Sequence, residues 1–200
     1  MFPDRLKEKE GKKMAKQENK ITANQKKTAK IAKMGVLAAI SIILVYFVRF
    51  PIFPAVPFLE YDPADIPILI GGFAFGPLAG ILLTVIVSVI QGLTVSAASG
   101  IYGIIMHILA TSTLVFVASL IYKIKKTRKS ALVGLICGSL AMVIVMFFAN
   151  MLITPKFMGI PVEAVMSLMV FILLFNLVKA GINSLVTLIL YKKISRFLHK

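Results

Sequence analysis

Six apolar segments occupy the chain from about residue 31 to about residue 192, and their lengths limit the fold more than any other feature. They cover about 31–49, 64–75, 78–96, 100–122, 131–153 and 161–192. A helix that crosses a bilayer needs about 20 apolar residues. Five segments meet or approach that length. The second, ADIPILIGGFAF, falls short, and its Gly-Gly pair and flanking prolines suit a short or tilted helix held inside protein. Composition agrees: hydrophobic residues are 58% of the 200, charged residues 16%, and mean hydropathy is +0.92. A soluble domain carries about 25% charged residues. A chain this poor in charge cannot cover itself against water, so its solvent is the bilayer.

The net charge of +15 is concentrated in a few places. Residues 1–33, 123–129 and 192–200 together hold 20 of the 23 Lys and Arg. Short basic blocks beside apolar runs are topology determinants; a nucleic-acid groove would spread its charge along one surface. With the N-terminal tail inside, six crossings put all three blocks on the cytoplasmic side. Glu60, Asp62, Asp65 and Glu163 then fall outside or near the outer surface. Five crossings would separate the KIKKTRK loop from the C-terminus, so the short segment counts as a crossing. The fold expected is an all-α integral membrane protein of the cell membrane, multi-pass, with six transmembrane helices. Its second helix is short, its first external loop Pro-rich, and both termini cytoplasmic. Residues 1–30 are too polar to fold alone and are read as a disordered or loosely helical basic tail. Residues 31–200 form the membrane domain.

Catalytic machinery is missing from the sequence. It contains no phosphate-binding G-x-x-x-x-G-K-[ST], no H-E-x-x-H and no G-x-S-x-G. Its two histidines, His107 and His199, are far apart, and Cys137 stands alone in an apolar run, where it reads as a small core residue. Neither a metal site, a cofactor nor an enzyme is expected.

Polar side chains deep in the apolar segments carry the functional signal, because such groups are costly in a membrane unless they face a cavity or a partner. At about 1.5 Å of rise per residue, Lys179 lies about 20 Å and Asn176 about 24 Å from the cytoplasmic end of the sixth segment. Asn150, Gln91 and His107 also fall at or above mid-membrane, on three other segments. The arrangement describes a pocket open outside and closed inside. Asn176, Lys179 and Asn183 share one helix face. Segments three to six offer Lys179 no acidic partner at its depth, so a hydrogen-bond-accepting ligand would account for it. Asn183 reads as helix–helix glue, and Gln91 and His107 as satisfied interior groups.

Two further features stand out. In the loop FPIFPAVPFLEYDPAD, Phe58 and Tyr61 alternate with prolines and lead to Asp65. A stiff aromatic loop makes a good lid over a flat ligand, since little entropy is lost on closing. Small residues four apart, Gly35 and Ala39, let another helix approach closely, as do Gly76, Ala79 and Gly80.

The runs FPAVPFLEYDPADIPILIGGFAFGPLAG, FFANMLITPKF and FNLVKAGINSLVT resemble the riboflavin-specific substrate-binding subunits, or S components, of energy-coupling factor transporters, over roughly residues 34–195. The resemblance implies a six-helix protein that binds riboflavin with high affinity from outside. It implies docking on a transmembrane scaffold subunit driven by two ABC-type ATPases, with ATP hydrolysis confined to those partners. It points, residue by residue, to Asn150, Asn176 and Lys179 for substrate binding, and to the first external loop, where Phe58, Tyr61 and Asp65 are the candidates read from the loop itself. It places the docking motif, usually two alanines four apart, at Gly35 and Ala39. Chemistry agrees independently: a carboxamide complements the donor–acceptor edge of a flavin, and Phe and Tyr stack on its ring. The competing readings are an S component for another vitamin such as thiamine, and an ion-coupled secondary transporter. Carboxylates would suit a cation better than Lys179 does. The transporter would show internal repeats and intramembrane carboxylates, which segments three to six lack.

Overall fold

The structure, a computed structural model, describes the backbone of residues 3–198 and the side chains of residues 14, 17–191 and 193. His199 lies outside the described residues. Among the described residues the six α-helices are α1 Pro3–Phe47, α2 Asp65–Phe75, α3 Pro77–Leu93, α4 Gly100–Lys125, α5 Arg128–Met158 and α6 Val162–Leu198. A 3-10 turn, Ala97–Ser99, precedes α4. The Pro-rich loop adds a minimal antiparallel ladder, with β1 Phe50–Pro51 paired to β2 Glu60–Tyr61.

The chain divides into two compact units, residues 1–36 and 37–200. In the first, the stretch read as a disordered or loosely helical tail is helix from Pro3 onward. Its Lys, Glu, Gln, Ala and Met are good helix formers, and no proline occurs between Asp4 and Phe50. Residues 17–32 are exposed throughout.

In the second unit, local chemistry sets the boundaries. Gly76, at φ 96°, supplies the left-handed turn between α2 and α3, and Pro77 follows at a first-turn position where its missing N–H is harmless. Thr127 caps α5 by accepting the Ser130 N–H at 3.1 Å. The sequence placed the end of the fifth helix at Thr154-Pro155. Instead α5 runs on to Met158 with Pro155 inside it, and Gly159, at φ 66°, is the real stop. A proline this close to the end removes only one bond from the final turns.

Among the described residues four stretches, in α1, α4, α5 and α6, are long and apolar enough to cross a membrane. α2 and α3, at 11 and 17 residues, reach only about 16 and 26 Å, against a hydrocarbon core of about 30 Å. Glycines allow close packing inside this unit. A Cβ on Gly134 would sit 2.6 Å from the Ala118 carbonyl oxygen, and one on Gly138 would sit 2.7 Å from that of Leu114. α4 and α5 therefore touch backbone to backbone. Gly80 likewise approaches Gly72, where its Cβ would lie 3.2 Å from the Gly72 Cα, so this small-residue face packs within the chain.

Cys137 is exposed, not a core residue. The inward face of α5 is the Gly134–Gly138 face, which turns Cys137 outward among Leu132, Ile136 and Leu140, all exposed. In a bilayer an outward apolar residue meets lipid, so apolar surroundings in sequence do not imply burial.

Candidate functional site

α3, α4, α5, α6 and the Pro-rich loop enclose a cavity with about 950 Å³ of empty space, mouth included. At the other end of the helices Phe73, Tyr122 and Tyr191 close the bundle, with ring centroids 4.6 to 5.8 Å apart. The cavity lies toward one end of the helices, and this aromatic cluster lies at the other, outside the cavity lining.

The loop is held against the cavity at several points. Val56 is fully buried against Val165, Met169 and Ile172 of α6, with Phe53, Phe58 and Leu59 around it. Asp62 forms a buried ion pair with Lys179, whose Nζ lies 2.8 Å from Oδ2. Arg49, just after α1, pairs with Glu60 at 3.0 Å and donates to the Val95 carbonyl and to Ser96 Oγ at 3.2 Å. This last pair is about one third exposed and contributes less than the buried one.

Lys179 thus has an acidic partner, contrary to the expectation from segments three to six; the partner comes from the loop, 117 residues away. An ammonium carries three donors, and one bond to Asp62 leaves others for the cavity that Lys179 lines. Asn176 and Asn150 line it too. Each gives one amide N–H to its own helix, Asn176 to the Ile172 carbonyl at 2.8 Å and Asn150 to that of Met146 at 2.7 Å. Asn150 Oδ1 also accepts from Thr154 at 2.8 Å. Those bonds fix the two carboxamides and leave each with a second N–H.

Phe58 lines the cavity wall with Tyr102, Phe157 and Phe175. Phe157 lies 6.3 Å from Phe58 and 5.9 Å from Tyr102 by ring centroids, joining loop, α5 and α4 into one aromatic wall. Tyr61 and Asp65 are placed behind the cavity, outside its lining. The Tyr61 hydroxyl donates to Asn183 Oδ1 at 3.0 Å, and burial, reinforced by the neighbouring Asp62 carboxylate, pushes its ionisation above the usual phenol range. Asp65 is fully buried and accepts from Thr111 at 2.7 Å and from Asn183 at 3.0 Å, with His107 Nε2 at 3.5 Å. Asn183 is the glue expected of it, joining α6 to Tyr61, Asp62 and Asp65 of the loop and α2. His107 is satisfied as well, with Nδ1 2.7 Å from Ser88 Oγ.

Gly35 and Ala39 are both exposed, and a Cβ on Gly35 would meet no atom within 4 Å. Sequence reasoning missed Arg49 and Glu60 at the cavity rim, and the role of Asp62. An intramembrane lysine demands a carboxylate; had the search included the loop, Glu60, Asp62 and Asp65 were the available choices.

Compared with known proteins, residues 29–191 match the family model of the ECF transporter substrate-specific component. The chain belongs to that family. This S component is 29% identical over 151 residues to the riboflavin transporter RibU of Staphylococcus aureus (strain TCH60), covering 72% of the present chain and 79% of that one. It is 29% identical over 102 residues to the riboflavin transporter FmnP of Bacillus subtilis (strain 168), half of this chain and 54% of that relative. A solved S component of a bacterial ECF transporter superposes with a TM-score of 0.75 at 30% identity, over 87% of this chain and 99% of that one. ThiT of Listeria monocytogenes superposes with a TM-score of 0.61 at 17% identity over 86% and 98% of the two chains, a likeness of fold. The family read from the EYDPADIP and FNLVKAG stretches is thereby established. The relatives are transport proteins, not enzymes.

Proposed function

We propose that this S component binds riboflavin and delivers it to an ATP-driven energy-coupling module. One observation carries the reading: the cavity's charges cancel in pairs, Lys179 with Asp62 and Arg49 with Glu60, while two fixed carboxamides and an aromatic wall remain for the ligand. Such a lining suits a neutral, flat, hydrogen-bonding molecule. Riboflavin is one: its ring is planar and apolar over most of its area, and one edge alternates donors and acceptors. Asn150, Asn176 and Lys179 would hold that edge, and Phe58 and Phe157 would flank the ring. Tyr61 and Asp65 would act through Asn183, keeping the loop in place over the ligand. A cation such as thiamine would need an unpaired carboxylate. The riboflavin transporters among the relatives support the same choice.

The positive-inside distribution supports six crossings with both termini cytoplasmic and the cavity open to the outside. α2 would cross as a short helix sheltered by protein, since its residues from Asp65 to Phe73 are all buried. Gly35 and Ala39 would form the docking face for a transmembrane scaffold subunit, with two ABC-type ATPases supplying the energy. The chain itself has no phosphate-binding loop.

The direct test is to purify the protein in detergent, record its absorption spectrum, and titrate ligand-free protein with riboflavin by fluorescence quenching. A bound flavin spectrum and saturable quenching are expected. No flavin binding, together with binding of thiamine or another vitamin, would overturn the assignment.

A further inference from the structure

At the α3–α4 end of the cavity one buried polar group is left over. Gln91 is 8% exposed and lines the cavity. Its Nε2 lies 3.5 Å from Ser96 Oγ, the outer limit of a hydrogen bond, and its Oε1 has no partner among the described residues. Turning the carboxamide over does not remove the deficit: Ser96 would then donate to Oε1, and Nε2 would be the atom left without a bond. In either orientation an amide atom at the cavity wall lacks the partner that buried polar groups almost always have.

The neighbouring groups are already matched. Ser88 and His107 are 2.7 Å apart, and the Arg49 guanidinium is paired with Glu60 and bonded to Ser96. Among the described residues no cation at this end is left over for an anionic group, and the Glu60 carboxylate would repel one. A hydroxyl both donates and accepts, so it completes Gln91 whichever way the amide is turned. A carboxylate or phosphate completes only one orientation. The other end of the cavity, with Asn150, Asn176 and Lys179, is suited to a ring edge, so the two ends call for different parts of one ligand.

We infer that Gln91 is a specificity-determining residue that bonds a neutral hydroxyl on the ligand's flexible polyol tail. This rests on the riboflavin reading and adds to it a reader for the tail, separate from the residues that hold the ring.

The experiment compares riboflavin with lumiflavin, which carries the same ring and a methyl group in place of the polyol. Dissociation constants for both are measured by fluorescence quenching on the unmodified protein and on Gln91→Met. Riboflavin should weaken about 3- to 10-fold, the loss of one neutral hydrogen bond, while lumiflavin stays within about twofold. Equal losses for the two ligands would overturn the inference, because they would mean a structural role. An unchanged riboflavin constant would overturn it too, since water would then be completing Gln91. Unmodified protein that binds neither flavin would sink the riboflavin reading itself, a separable outcome. If Gln91→Met does not yield folded protein, Gln91→Asn keeps the amide and withdraws it by one methylene. The same narrowing of the riboflavin-to-lumiflavin ratio is expected there, and its absence overturns the inference.

Discussion

Replacing Lys179 by Met should do two things at once, and the geometry separates them. The Lys179 and Asp62 side chains are 8% and 3% exposed, with Nζ and Oδ2 2.8 Å apart. Breaking a buried pair from one side typically costs about 3–5 kcal/mol, because a charge is left buried without its partner. Lys179 also lines a cavity that water can enter, so we expect the low end, about 3 kcal/mol, or roughly 6–12 °C in melting temperature for a chain of this size. Asp62→Asn should cost a similar amount by stranding the ammonium, although Asn keeps an oxygen for the Ala64 N–H now 3.1 Å from Oδ1. The double variant removes both charges and should recover about 2–3 kcal/mol relative to the sum of the single losses. Affinity follows a different pattern. Lys179→Met also removes a donor from the cavity, worth about 1.5–3 kcal/mol or roughly 10- to 150-fold, and the double variant does not restore it. Thermal unfolding and flavin titration on all four proteins complete the cycle. Additive melting-temperature losses would refute the coupling of loop to helix, and an unchanged dissociation constant in Lys179→Met would remove that residue from the site.

Three other outcomes are expected. The chain reconstituted alone in liposomes should show no concentrative flavin uptake, and sustained uptake without partner subunits would favour an ion-coupled carrier. Gly35→Leu and Ala39→Leu, singly and combined, should leave flavin affinity and melting temperature near normal but abolish co-purification with the scaffold and uptake; normal co-purification in the double variant would end the docking assignment. Gly138→Leu should be severely destabilising, well beyond the roughly 1–3 kcal/mol of ordinary overpacking, because its first added carbon already meets the Leu114 carbonyl; a melting temperature within 3 °C of the parent would contradict the close contact of α4 with α5.

Much of the fold is legible from apolar run lengths and breakers. The starts of α2, α3 and α4 fall within one residue of where prolines and glycines put them. The end of α5 was not legible, because Thr154-Pro155 resembles a terminus and the glycine that actually ends the helix lies four residues on. Of the candidate site, Asn150, Asn176 and Lys179 were readable because polar atoms at depth are few, and the structure brings all three to one cavity with Phe58. Asp62 as the partner of Lys179 was not readable. Depth along a helix says nothing about which loop folds back over it, and the ion pair spans a separation no helical periodicity reports. The incomplete bonding of Gln91 was equally hidden, since it depends on where Ser96 sits after the turn that follows α3.

The seam between α4 and α5 has a mechanical consequence. Where Gly134 and Gly138 lie on the Ala118 and Leu114 carbonyls there is no space for a Cβ. Slipping α5 along α4 by one turn, about 5.4 Å, would bring either Met142 onto the Leu114 carbonyl or Ser130 onto that of Ala118. Both carry the carbon that the seam excludes. The two helices have a single register and behave as a clutch with one tooth engaged. They can tilt together as one slab, but they cannot ratchet past each other. A movement that admits or frees a ligand therefore cannot proceed by sliding α5 along α4 through that seam.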